Sequence, residues 1–243
     1  MFALYKKEVG SYFCSPFAYV ISALFLMVFS LSFVSGISNM DSNTFRFSFS
    51  DVFYNNFFYF IFMIPLLTMR TFAEERKSHT ETLWLSAPIA VWQVVVAKYL
   101  AVVTVFLCMM LLSLVFPLIV FCKGNVIFSG LVCGYTGFLL WGMVCIAVGV
   151  LISSLTDSPI LAAVFGEAAM ILLIFLDNFT DTALIQSVPV LQKLFTWFST
   201  EARFVGFSQG LFSLADLVFF LSLSAVFVIW TVIIIEKRRQ SRA

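Results

Sequence analysis

Residues 127–152 read IFSGLVCGYTGFLLWGMVCIAVGVLI, a run of 26 residues without an Asp, Glu, Lys, Arg or His. About 20 apolar residues suffice for a helix to cross the hydrocarbon of a bilayer. This run has no polar face, so a helix built from it is hydrophobic all round and belongs in lipid rather than in water. Strands of a membrane barrel would instead alternate apolar and polar residues over about 10 positions. The run therefore predicts an all-α membrane protein, and the rest of the chain extends that reading.

Upstream, across a short loop of Lys123, Gly124 and Asn125, lies a second apolar run at 94–121, with Trp92 and Gln93 at its mouth. Downstream, the turn Ser153-Ser154-Leu155-Thr156-Asp157-Ser158-Pro159 leads to a short run at 160–176. Further out are runs at 17–36, at 52–69 and at 214–235, where Ser213 followed by Asp216 has the form of a helix N-cap. These six runs predict a polytopic protein with six transmembrane helices in one transmembrane domain, 1–243. Composition agrees: 62% of the residues are hydrophobic and 11% charged, whereas a soluble domain is about half apolar and a quarter charged.

The segments between the runs differ in character. In residues 1–15, Phe2, Tyr5, Val9 and Tyr12 recur every three to four positions while Lys6, Lys7 and Ser11 fall elsewhere, which predicts an amphipathic helix lying in the interface. The first run is too long for the apolar region of a signal peptide, so no cleavable leader is expected. The loop 177–213 is long, and its Leu184, Val188, Leu191, Leu194, Phe195 and Phe198 predict short interfacial or re-entrant helices. With six spans both termini fall on one side. That side carries Lys6, Lys7, Arg70, Arg76, Lys77, Lys98, Lys237, Arg238, Arg239 and Arg242, against Arg46, Lys123, Lys193 and Arg203 on the other. The positive-inside rule then places both termini in the cytoplasm. A net charge of +1 gives no reason to expect nucleic acid as a partner.

The most polar interior stretch is Arg70-Thr71-Phe72-Ala73-Glu74-Glu75-Arg76-Lys77-Ser78-His79-Thr80-Glu81. A plain solvated loop is one reading. However, acids add little to orientation, and Glu74 with Ser78 and Lys77 with Glu81 have the i,i+4 spacing of a helix surface. An ordered, mixed-charge cytoplasmic helix suits docking of a soluble partner. Pro65-Leu66-Leu67-Thr68-Met69 before this stretch, Thr82-Leu83-Trp84-Leu85-Ser86-Ala87-Pro88 after it, and then Lys98-Tyr99 complete a pattern that resembles the type-2 ABC exporter permeases. Within them it is most similar to the branch of the gliding-motility and nitrous-oxide-reductase maturation permeases. Gly149 with Ser153-Ser154-Leu155-Thr156, then Gly210, Asp216, Phe219-Phe220-Leu221-Ser222 and Glu236-Lys237-Arg238-Arg239 extend the resemblance over most of the chain.

The resemblance implies a coupling helix in the loop after the second span, with Arg70, Glu74, Glu75, Arg76, Lys77, Thr80 and Glu81 as the residues that meet a separate ABC ATPase. It implies ATP and Mg²⁺ on that ATPase, and no cofactor in this chain. It further implies a second permease, either another copy or a related chain, an outer-face auxiliary membrane protein, and a bacterial cytoplasmic membrane. His79 departs from the family pattern, which has Gly before the Thr. Its ionisation near neutral pH gives it a pH-sensing reading, set against a plain exposed residue.

The chain lacks GxxxxGK[ST], so it holds no phosphate cradle of its own. Glu167 is the single ionisable residue deep in a run, about 12 Å along its helix from Pro159 at 1.5 Å per residue. It is the candidate for the translocation path or, alternatively, a neutral donor between helices or at a dimer seam, facing the bundle interior or a dimer cavity rather than lipid. Gly206-Phe207-Ser208-Gln209-Gly210 matches GxSxG, but no strand–turn–helix surrounds it. Gly130 and Gly134 form GxxxG, read here as packing within the protomer. The five cysteines form no CxxC, and only Cys122 and Cys133 flank a loop short enough to pair. The 31 Phe suit either an amphipathic cargo or lipid. The expected function is thus an ATP-driven exporter permease working by alternating access. A secondary transporter, or a membrane anchor of a larger complex, is the alternative.

Overall fold

Inside a bilayer a backbone must satisfy its own polar groups, and a continuous apolar stretch does so by coiling. The computed structural model describes residues 1–38, 46–47, 49–85, 89–123, 125–126, 128–180 and 199–242, and these are helical almost throughout. In chain order they form α1 (Phe2–Cys14), α2 (Pro16–Ser38), β1 (Arg46–Phe47), α3 (Ser50–Thr68), α4 (Ala73–Lys77), α5 (Glu81–Leu85), α6 (Val91–Ser113) and α7 (Val115–Lys123). They continue as β2 (Asn125–Val126), α8 (Phe128–Leu155), α9 (Pro159–Thr180), α10 (Thr200–Ser208) and α11 (Leu214–Arg242). The two strands are a two-residue parallel ladder, Arg46 opposite Asn125 and Phe47 opposite Val126, tying together two loops at one end.

Among the described residues, five helical stretches are long and apolar enough to cross a membrane: Pro16–Ser38, Ser50–Lys77, Val91–Cys122, Phe128–Leu155 and Leu214–Gln240. The sixth expected run lies on α9, whose apolar part Pro159–Phe175 is shorter. The apolar periodicity expected between 184 and 198 lies outside the described residues.

Two irregularities have local causes. The run 94–121 is interrupted at Leu114, between α6 and α7. Pro117 has no N–H to give the Ser113 carbonyl four residues back, and its ring crowds that position. The Ser113 hydroxyl bonds back to Met110 O at 2.7 Å, which also loosens the turn. In α3, Pro65 sits within the helix, and Gly166 of α9 packs against its ring.

The central element is α8, which packs on α3, α6, α9, α10 and α11. Its glycines set those contacts. Gly134 receives the Phe53 ring of α3, Gly142 the Phe106 ring of α6, Gly137 the Phe207 side chain of α10, and Gly149 the Thr68 side chain of α3. A methyl group at any of the four would collide with its neighbour. The GxxxG spacing thus serves packing within the protomer, as read from the sequence. Much of the Phe content is also internal. Phe25, Phe29, Phe53, Phe60, Phe106 and Phe138 form one ring cluster, with centroids as close as 4.5 Å between Phe60 and Phe138. The cysteines are free, and Cys133 is buried while Cys122 is exposed, so the pairing weighed for them is not made.

Both termini reach the same end of the molecule. There α1 lies against α6 and α2, and Arg239 near the end of α11 donates to Ile89 O at 2.9 Å. The N-cap read at Ser213 is present, its Oγ accepting from Asp216 N at 3.4 Å.

Candidate functional site

The charged segment after α3 is folded back against the bundle. Its first helix, α4, is only five residues long, and the N–H groups of its first turn have no partner within the helix. Ser153 of α8 supplies the cap from outside: its Oγ accepts from Phe72 N at 3.1 Å and from Ala73 N at 3.2 Å. The same hydroxyl donates to Met69 O at 3.2 Å. At the other end α4 closes with paired bonds, His79 N to Arg76 O (3.1 Å) and Thr80 N to Glu75 O (2.9 Å). That closure needs a left-handed residue, and His79 takes it with φ of 58°. Thus the residue standing where the resembling family has Gly occupies a glycine-type conformation. Because α4 ends at Lys77, the expected helical pairing of Lys77 with Glu81 is not formed, and Glu81 is paired with Arg76.

Arg76 points inward and is only 8% exposed. Nε donates to Glu81 Oε2 (3.2 Å), Nη2 to Ser154 O (2.7 Å), and Nη1 to Thr156 O (2.8 Å) and Asp157 Oδ1 (3.1 Å). Ser154 and Thr156 carry carbonyls at the C-terminal end of α8. Such carbonyls lack helical partners and sit at the negative end of the helix dipole. Hence Arg76 both neutralises Glu81 and caps α8.

A second clamp lies on the other flank. Lys98 of α6 is 2% exposed, and its Nζ lies 2.8 Å from Glu75 Oε1 and 3.1 Å from Glu8 Oε1. The other Glu75 oxygen accepts from Trp84 Nε1 at 3.0 Å. One buried cation therefore joins α1, α4 and α6. Nearby, the Tyr12 hydroxyl donates to Leu67 O at 3.3 Å. Burial, and then the Glu8 and Glu74 carboxylates, push the Tyr12 phenol well above its ordinary value, so it remains a neutral donor.

The expected coupling residues thus divide in two. Glu75, Arg76 and Glu81 face inward, while Glu74, Lys77 and Thr80 are exposed with Ser78 and His79 at the tip. Arg70 is half-exposed, stacked on the Phe17 ring at 4.3 Å. Residues 86–88 lie outside the described residues. Glu8 and Asp157 were not singled out from sequence. Lys98 was noted only within the motif and as an orienting charge, and Ser153 only within the family-like stretch 153–156.

Glu167 is not part of this cluster. It is half-buried on α9, on the flank of a row of exposed apolar residues that includes Ile160, Val164 and Ile171. It has no hydrogen-bond or ion partner among the described residues. The GxSxG stretch is the end of α10: the buried Ser208 donates to Val205 O at 2.9 Å, and Gly210 takes φ of 86° to close the helix. That is a helix terminus, not a nucleophile elbow. Among the described residues no cluster of His, Cys, Asp and Glu has the form of a metal site.

No curated protein matches the chain. A family profile described as ABC-2 family transporter protein matches residues 36–236, which span α3 to α11 and include the whole clamped segment. With most of its length matched and its apolar helices arranged around α8, this multi-pass membrane permease belongs to the ABC-2 family of transporters.

Proposed function

We propose that the chain is one of two permease subunits of an ATP-driven exporter in a bacterial plasma membrane. In this reading it crosses the membrane six times, α9 included, with both termini in the cytoplasm. A separate ABC ATPase docks on the tip formed by Glu74, Lys77, Ser78, His79 and Thr80. ATP and Mg²⁺ are bound on that ATPase. Its closure pushes the tip, and the permease pair alternates between inward and outward openings. The gliding-motility-like branch remains the nearest reading of the motif.

The observation that carries this is the double anchorage of α4. A segment that transmits force must not slide against the helices it drives. Arg76 ties α4 to the α8–α9 turn, and Glu75 with Lys98 ties it to α6 and α1. Only the tip is left facing outward. The geometry also refines which residues should contact the ATPase. Reversing Glu75 to Lys would set it against Lys98 and damage the fold, whereas reversing Lys77 would act on docking alone.

The test is a cysteine at Ser78, in a background with Cys14 and Cys122 replaced. A membrane-impermeant maleimide should label it only from the cytoplasmic face. In native membranes a short cross-linker at this position should capture a polypeptide carrying a GxxxxGK[ST] phosphate loop. Labelling from the outer face would overturn the orientation and the docking role together.

A further inference from the structure

Between α1 and the α4 segment lies a cleft of about 320 Å³, lined by polar and charged groups including Ser11 and Ser15. Ligand pockets begin at about this size. Five charged residues line it: Glu8, Glu75 and Lys98, which are paired with one another, and Arg70 with Glu74. The last two are different. Arg70 Nε stands 3.7 Å from Glu74 Oε2, beyond hydrogen-bond distance, and their side chains are 37% and 53% exposed. A long, half-solvated pair of this kind holds little energy, so its two charges are available to a better partner.

The guanidinium is nevertheless held in place. It stacks on Phe17, and Nη1 donates to Ser15 Oγ at 3.3 Å. A planar fork fixed in this way suits two oxygens of a phosphate. Three carboxylates against two cations make the cleft net negative, so a lone anion is disfavoured there. A ligand that brings its own cation is favoured, with the positive end beside Glu74. Phe17 also begins a row on α2 that continues as Val20, Leu24, Met27, Leu31 and Val34, each 45–63% exposed. These residues are three or four apart, so they form one apolar strip along the helix from the cleft wall.

We propose that the cleft binds the headgroup of a zwitterionic aminophospholipid. The phosphate sits on Arg70 and the Ser11 and Ser15 hydroxyls, the primary ammonium on Glu74, and an acyl chain along the α2 strip. The bound lipid braces α1 against the base of the docking tip, so the state of the tip responds to membrane composition. Glu74 stands where the cleft meets the tip, so a docked ATPase would compete with the lipid ammonium for it, and lipid binding by the chain alone does not rest on that docking.

Native mass spectrometry of the full chain in detergent tests this, with phosphatidylethanolamine, phosphatidylcholine and phosphatidylglycerol of equal chain length and with soluble glycerophosphoethanolamine. Phosphatidylethanolamine should bind about tenfold more tightly than the other two lipids, the worth of one charge-assisted hydrogen bond. The soluble headgroup should not compete at equal concentration. Glu74→Gln should abolish the preference over phosphatidylglycerol, and Arg70→Gln should weaken all three lipids about tenfold. Arg70→Lys, which keeps the charge and loses the fork, serves if the Gln variant misfolds, and should weaken phosphatidylethanolamine by about threefold. Lys7→Gln, on the exposed face of α1, should leave the ranking unchanged. Phosphatidylglycerol binding as well as phosphatidylethanolamine, or a ranking that survives the Arg70 and Glu74 variants, would overturn the site. Equal binding of the soluble headgroup would overturn its assignment to lipid.

Discussion

Arg76 carries a full charge into the protein, and every nitrogen of its guanidinium has an acceptor. Removing one member of a buried ion pair costs about 3–5 kcal/mol, because the remaining charge is stranded. Arg76→Met should therefore lower the thermal unfolding temperature of the detergent-solubilised protein clearly, by the equivalent of about 3 kcal/mol or more. Adding Glu81→Gln should recover a large part of the loss, since the stranded carboxylate is then gone. If the double variant is no more stable than the single one, the pair is not the source. The sequence marks Arg76, Glu75 and Glu81 as important but does not show the partners they have within the chain. The family resemblance implies that they meet an ATPase, while within this chain their side chains are turned toward the bundle. The reason is physical: their counter-groups Asp157, Ser154, Lys98 and Glu8 are remote in sequence, and no local spacing shows which of a run of charges will be desolvated. His79 was legible only as an anomaly, a residue where Gly was expected. Its left-handed backbone explains the expectation, because the turn needs φ above zero whatever residue supplies it.

At the scale of elements, hydrophobicity alone located the helices, since a run that is apolar on every face can satisfy its backbone in only one way. What it could not locate were the joints. The break between α6 and α7 falls one turn before Pro117, a signal present in the sequence but submerged in an otherwise unbroken apolar run. The contacts of α8 were likewise visible only as a supply of glycines, without their partners. Those partners make a sharp prediction. A methyl group at Gly137 would strike Cγ of Phe207 and, closer still, its Cβ, an atom fixed to the backbone of α10 that no rotamer change can withdraw. Gly137→Ala should displace α10 from α8 and cost about 1–3 kcal/mol, the usual price of overpacking a close contact. Phe207→Gly in the same chain, which removes that Cβ, should relieve the collision at the expense of a cavity. Faster amide exchange confined to 200–208 would report the displacement. Unchanged exchange in Gly137→Ala would show that the two helices are not held in this register.

For the whole molecule, the outstanding question is what covers the exposed side of α9. Ile160, Val164, Ile171 and Phe175 suit either lipid or another helix, and they decide nothing. Glu167 discriminates, because a carboxylate well inside a bilayer is costly unless it is neutral, paired or wetted. The sequence reading placed it in the bundle interior or in a cavity between protomers. Among the described residues it has no polar partner, and it is only half-buried. Its short side chain cannot reach the headgroups from about 12 Å along the helix. Under the proposed two-permease arrangement its expected position is the seam with the second permease, where the same carboxylate from each copy, or water between them, supplies a polar partner. In a background without Cys14 and Cys122, Glu167→Cys should therefore form an intermolecular disulfide under mild oxidation. Leu172→Cys, on the opposite edge of the exposed row and 62% exposed, should not. Glu167→Gln should keep the dimer intact and change substrate-stimulated ATPase activity if the group lines the path, and be silent in that assay if it only donates a hydrogen bond across the seam. Glu167→Leu should then be the milder change to insertion and the harsher one to transport. A chain that remains monomeric on oxidation while Glu167→Gln alters neither assembly nor activity would leave the carboxylate facing lipid, and the two-permease arrangement would lose its best internal support.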